Sequence, residues 1–143
     1  MSLDLGAPIR TALLADAGIV ALLSTLRGTA AVFTRRPTPT DAIRPLIVVS
    51  EDISITDADG LRSDRPIVIR DILIYGDQPD QFRDVETLGY LIRDLFHRNK
   101  GSVVSATYDI IDIRASGPRK APTSDEEVVG RVVTLTFILR KTP

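Results

Sequence analysis

The sequence contains no cysteine and no tryptophan, one histidine and one methionine, and aromatic residues make up only 5% of it. The lack of cysteine excludes disulfides, thiolate zinc sites, iron–sulfur clusters and a cysteine nucleophile together, so packing has to hold the fold. No sign of charge dominates: 18 Lys and Arg stand against 19 Asp and Glu, a formal net charge of -1 that gives no global field to hold nucleic acid or an anionic membrane. Long apolar runs are missing too. The stretch from Ala12 to Leu26 is interrupted by Asp16 and carries neither a basic leader nor a cleavage-site pattern. It reads as neither secretory signal nor membrane span, and the product is expected to begin its life in the cytoplasm. Glycine-rich phosphate loops of the GxGxxG or GxxxxGK kind are absent, as are HExxH and GxSxG, which removes support for nucleotide hydrolysis, dinucleotide binding, zinc proteolysis and serine hydrolysis.

What is present is a well-patterned α/β sequence. With 143 residues, 43% hydrophobic and 26% charged, the chain suits one globular domain spanning its whole length. Its clearest passage runs from Ile67 to Arg98. Ile67 to Tyr75 is β-branched and apolar except at Arg70 and Asp71, which predicts a central strand; Phe82, Val85, Leu88, Ile92, Leu95 and Phe96 then recur at helical spacing, which predicts a helix from Pro79 to Arg98.

Upstream, Ile9, Leu13, Ile19, Leu22, Leu23 and Leu26 suit a helix from Pro8 to Leu26 with a break at Ala17-Gly18 and a stop at Gly28. Ala30 to Thr34 predicts a short strand, and Pro37, Pro39 and Pro45 predict an extended surface loop, because proline cannot donate to a sheet. Leu46 to Thr56 predicts a strand whose Ile53 and Ile55 lead out of the core, joined to Ile67–Tyr75 as an antiparallel hairpin with a long tip from Asp57 to Pro66. Downstream, Asn99-Lys100-Gly101 reads as a helix exit, and Val103 to Arg114 and Val128 to Leu139 read as two more strands. Between them GPRKAPTSDEE, Gly117 to Glu127, has a basic and an acidic half and is expected to be mobile unless a partner orders it. These elements predict an α+β fold: a mainly antiparallel sheet of about four to five strands with two main helices packed on one face. The alternation of Thr134 and Thr136 with Val133, Leu135 and Phe137 predicts a half-exposed last strand that invites a partner strand.

No reaction centre emerges. His97 falls at the end of the central helix, where a positive imidazole would meet the negative end of the dipole, and it has no second histidine to share a site with. Asp57, Asp59 and Asp64 faintly resemble a calcium loop, but Gly60 comes too soon and Val68 stands where a bidentate glutamate belongs; a solvated tip with Arg62 and Arg65 is the simpler reading. Glu51-Asp52 and Asp125-Glu126-Glu127 lie in polar segments and read as surface charge. Arg35-Arg36 and Arg119-Lys120 are small basic patches without aromatic platforms, and suit solvated charge or a protein interface better than nucleic acid.

In the order and spacing of its elements the chain resembles the tail-completion or tail-terminator family of long-tailed bacteriophages and related prophage elements. The resemblance rests on IRTALLADAGIVALL, on AVFTRRPTPTDAIRP running into LIVVSED, on IRDILIYGDQPDQFRDVETLGYLIRDLF, and on VVTLTFILR. Where relatives often place an aromatic after the proline of the second strand this chain has Leu46, and at the end of the next strand it has Tyr75-Gly76 in place of an aromatic-polar pair. The resemblance implies a non-enzymatic structural virion protein without cofactor or metal. Such a protein is assembled in the bacterial host cytoplasm and located at the head-tail junction. It would form a hexameric ring that ends tail-tube polymerisation and contacts the tail-tube protein and the head connector or head-closure protein, while DNA passes through the lumen without specific binding. An exposed strand and mixed-charge loops fit a ring, which needs two different complementary patches on each subunit. The expected interface residues are Asp57, Asp59, Arg62, Asp64 and Arg65 at the hairpin tip, Arg119, Lys120, Asp125, Glu126 and Glu127 in the later connection, and Arg35 and Arg36 between subunits. A head-closure or neck ring is the neighbouring reading, and a small ligand-binding or enzymatic α+β domain is a reading of another class.

Overall fold

The N-terminal apolar stretch is divided by an acid. Helix α1 (Gly6–Ala15) buries Ile9 and Leu13, and Asp16 then opens helix α2 (Ala17–Leu22) by accepting a hydrogen bond from the Ile19 N–H through Oδ1 at 3.1 Å. An aspartate in extended backbone satisfies one of the amides that a helix start leaves open, so the break lies at Asp16 and not at the expected Ala17-Gly18. The helix also stops at Leu22, short of the expected Leu26. Two very short strands follow, β1 (Thr25–Leu26) and β2 (Thr29–Ala30), paired antiparallel about Gly28. Gly28, expected as a helix stop, serves this turn with a φ of 82°. The computed structural model describes residues 5–26, 28–34, 43–57, 66–105, 108–121, 123 and 126–141, with backbone alone at 51–57 and 141.

The remaining elements are β3 (Val32–Phe33), β4 (Leu46–Asp57), β5 (Pro66–Asp77), α3 (Phe82–Phe96), a 3-10 turn at Lys100–Ser102, β6 (Tyr108–Lys120) and β7 (Val128–Lys141). Five strands form one sheet in the order β3-β4-β5-β7-β6; β3 runs parallel to β4, and every other pair is antiparallel. The predicted β4–β5 hairpin is present, and β5 takes the central place expected of a strand apolar on both faces. Helix α3 starts at Phe82, three residues after the predicted start, because Pro79 to Gln81 form a turn.

Two expectations about the last strands are corrected. Strand β7 is an interior strand held between β5 and β6, so it offers no edge to a partner. Its alternating sequence reports which face is solvated, whereas edge position depends on which strands lie beside it. Strand β6 starts later than predicted and continues through Gly117 to Lys120, pairing Arg119 with Val132 and Lys120 with Arg131. Bulges between Ile110 and Asp112 and between Ser116 and Arg119 make this possible. The second takes in Gly117, whose φ of 107° and whose place 2.8 Å from the Val132 carbonyl oxygen, measured from where a Cβ would stand, leave no room for a side chain. Thus the first four residues of the Gly117 to Glu127 connection, expected to be mobile, are sheet, and Ala121 after them is buried, with its N–H donated to the Gly130 carbonyl at 3.0 Å.

All three helices lie against the same sheet face. Ile9, Leu13 and Ile19 of the first two helices and Val85, Leu88, Ile92 and Phe96 of α3 join Ile47, Val49, Val68, Ile72, Ile74, Ile113, Val133, Leu135 and Phe137 of the sheet in one core. Arg70 is the one buried charged side chain among the described residues, at 6% exposure, and it is partnered. Gly89 lets α3 approach the outer strand, since a Cβ there would come within 2.6 Å of Pro118. The fold is α+β, with its helices on one side of a largely antiparallel sheet.

Candidate assembly surfaces

The architecture leaves open the sheet face that points away from the helices. Side chains alternate along a strand, so burying Val68, Arg70, Ile72 and Ile74 turns Ile67, Ile69, Asp71, Leu73 and Tyr75 to the other side. Register places Ile138, Thr136, Thr134 and Val132 of β7 beside them. Among the described residues no helix covers this face; only Ala31 and Phe33 pack over Leu46, Val48, Leu73 and Tyr75 at one margin. Its centre is polar and already satisfied: Thr134 donates its hydroxyl to Asp71 Oδ1 at 2.6 Å, the Asp71 N–H donates to Ser50 Oγ at 3.1 Å, and Arg119 reaches the same carboxylate at 3.9 Å.

The outer edge of β6 is partly occupied by the chain itself. As α3 ends, the Arg98 N–H donates to the Ile113 carbonyl at 2.7 Å and the Ala115 N–H donates to His97 Nδ1 at 3.1 Å. Arg98 makes this turn with a φ of 59°, the left-handed exit common at helix ends. His97 therefore serves the strand edge as a hydrogen-bond acceptor, a contact that its place at the helix end did not announce. These two contacts blunt the edge where a foreign strand would pair.

At one end of the strands a hydrogen-bonded knot fixes the start of α3. Arg44 Nε holds Asp77 Oδ1 at 2.6 Å, Gln81 Nε2 donates to the Arg44 carbonyl at 2.9 Å, and the Asp77 N–H donates to Gln81 Oε1 at 2.8 Å. Beside it Arg131 pairs with Glu86 and lies 5.2 Å from the centroid of the Phe82 ring. At the opposite end, the 3-10 turn and the first residues of β6 enclose a cleft of about 710 Å³ that includes Lys100, Val104, Ile111 and Arg140 in its lining.

The residues singled out from the sequence are spread over these surfaces. Arg35, Arg36, Asp59, Arg62, Asp64, Arg65 and Asp125 lie outside the described residues, and Asp57 closes β4 opposite Pro66 with only its backbone described. Arg119 and Lys120 are exposed strand residues on β6; Glu126 and Glu127 are exposed beside the start of β7, where the Glu127 carbonyl accepts the Gln78 N–H at 2.7 Å. The structure thus brings Lys120 and Glu126 to one shallow depression beside Gln78. Sequence reasoning did not find the Asp71–Thr134 pair, the Arg131–Glu86–Phe82 stack or the Lys100–Arg140 cleft, all of which join residues distant in the chain; for the stack, the charge of Arg131 between the apolar pairs Val128-Val129 and Val132-Val133 was an available signal. Among the described residues no group of three or more His, Asp or Glu side chains could hold a metal ion, and no helix is long and apolar enough to cross a membrane.

No protein-family model matches this chain, and no curated protein matches it. Its fold does recur among solved structures. A chain of a structure described as the virion of a native gene transfer agent particle superposes with a TM-score of 0.68 over 98% of this chain and 98% of that one, at 18% identity. The two share an architecture from end to end.

Proposed function

We propose that this chain is a structural virion protein of the tail-terminator kind, a subunit of a hexameric ring that ends tail-tube growth and joins the tail to the head connector around the DNA path. The observation that carries this reading is the likeness to a chain of a gene transfer agent virion over 98% of each chain. The surfaces agree with it. A sheet open on one face, a blunted outer edge and separate charged patches at the two strand ends suit a subunit that buries surface against neighbours. Within this reading the protein turns over no substrate and needs no cofactor, and the hairpin tip, the Arg119 to Glu127 region and Arg35-Arg36 remain its contact candidates.

Tail length, measured by electron microscopy after deleting the gene from its producing strain, tests the proposal. Overlong, headless tails of scattered length are the expected result. Uniform tails beside unjoined or leaking heads would move the protein to the neck, and fully normal particles would overturn both structural readings. Reversing Arg35 and Arg36 to Glu is expected to impair ring formation or tail joining with the fold intact; an unchanged particle yield would remove them as contacts.

A further inference from the structure

Two of the exposed apolar patches lie at opposite ends of the strands and carry opposite charge. Where β5 closes and α3 begins, Phe82 is 44% exposed and Ile43 63% exposed. Around them Asp77 and Glu86 are held by Arg44 and Arg131, while Asp80, Asp84 and Glu126 have no ion pair among the described residues and outnumber the two nearby cations, Arg83 and Lys120, that also lack one there. This end is an acidic knob with an aromatic on it.

The far end is its complement. In the cleft beside the 3-10 turn, Val104 is 80% exposed and Ile111 39% exposed. Lys100 has no ion pair among the described residues, Arg140 uses Asp109 at 3.3 Å, and Arg98 and Arg114 share the single carboxylate of Asp112 at 4.0 and 3.4 Å. In the lining of the cleft two cations, Lys100 and Arg140, therefore stand against one carboxylate, Asp109, beside the exposed Val104 and Ile111. Helix α3, 15 residues and about 22 Å long, runs between the two ends, so one copy cannot bring its own knob to its own cleft.

We propose that adjoining copies of this chain join head to tail, with Asp80, Phe82 and Asp84 of one copy seated in the Lys100, Val104, Ile111 and Arg140 cleft of the next. This rests on the ring reading and names the contact that reading leaves open. The occupant is a second copy because the chain carries both halves of one complementary pair, with aromatic against aliphatic and acid against base. Such a heterologous contact leaves a free knob and a free cleft after every addition, and growth stops only when the last copy meets the first.

The cysteine-free sequence permits a direct test. In the deletion strain, the gene is supplied as R83C/N99C or as T87C/N99C, all three being exposed positions that flank the proposed contact without forming it, and purified particles are treated with a short bis-maleimide. The expected result is loss of the monomer band into a ladder extending beyond the dimer, with none from the single-cysteine variants and with tails of wild-type length. Monomers only from both pairs, in particles with wild-type tails, would overturn this contact while leaving the ring intact. Dimers from a single-cysteine variant would overturn it in favour of a two-fold contact. Failure of the ring reading shows separately, as normal tails in the deletion strain before any cysteine is introduced.

Discussion

Arg131 organises the start of α3 with one side chain. It pairs with Glu86, stacks on Phe82 and donates through Nη1 to the Gly130 carbonyl at 2.8 Å, and its side chain is only 16% exposed. Arg131→Ala leaves Glu86 without its charge partner and is expected to cost about 2–3 kcal/mol in urea unfolding. A double-mutant cycle with Glu86→Ala should return a coupling of about 1 kcal/mol or more, and Arg131→Lys should recover only part of the loss because an ammonium lacks the planar stack. Gly117 is the second sensitive residue. Gly117→Ala places a side chain at a φ of 107° against the Val132 carbonyl, and a loss of about 1–3 kcal/mol is expected in the same measurement.

Among the elements, α3 carries the most argument. Ile92 is fully buried between this helix and the sheet, so Ile92→Ala should lower stability by about 2–5 kcal/mol, whereas substitution at exposed Tyr90 should change it little. His97→Ala removes the acceptor that covers the Ala115 amide; faster hydrogen exchange at Ala115 and a loss of about 1 kcal/mol are expected, and unchanged exchange would show that water replaces the imidazole without penalty. The spacing of Val85, Leu88, Ile92 and Phe96 made α3 legible in the sequence, and the β-branched run of β5 did the same for the sheet centre. Other boundaries were not legible because tertiary context sets them. Asp16 looked like an interruption and is a cap; Gly117-Pro118 looked like a loop and is a bulge that α3 packs against through Gly89. The candidate surfaces were the least visible of all. Lys100 and Arg140, or Asp71 and Thr134, become neighbours only once β6 and β7 have been laid in register, and no local pattern announces that.

At the scale of the whole molecule, balanced charge predicts indifference to DNA. At about 150 mM salt the protein is expected not to shift double-stranded DNA in a gel, because non-specific binding needs several phosphates neutralised together and the net charge of -1 supplies no excess. A strong shift would count against a channel through which DNA must slide. The end-to-end contact, by contrast, should weaken as salt rises, since its charged rims are exposed and screened.

The strand order has one more consequence, for the moment at which the chain becomes a subunit. Strand β7 is synthesised after the other four strands of its sheet, yet it lies between β5 and β6 and pairs with both along most of their length. Until it leaves the ribosome, β6 has no strand beside it and β5 has one bare side. A nascent or truncated chain ending at Glu127 is therefore expected to lack the cooperative unfolding transition of the complete protein, as read by circular dichroism. Synthesis itself would thereby inspect each subunit of the proposed ring: a copy without β7 cannot hold β6 in the register that lines the cleft, and in a closed circle one such member would leave a gap.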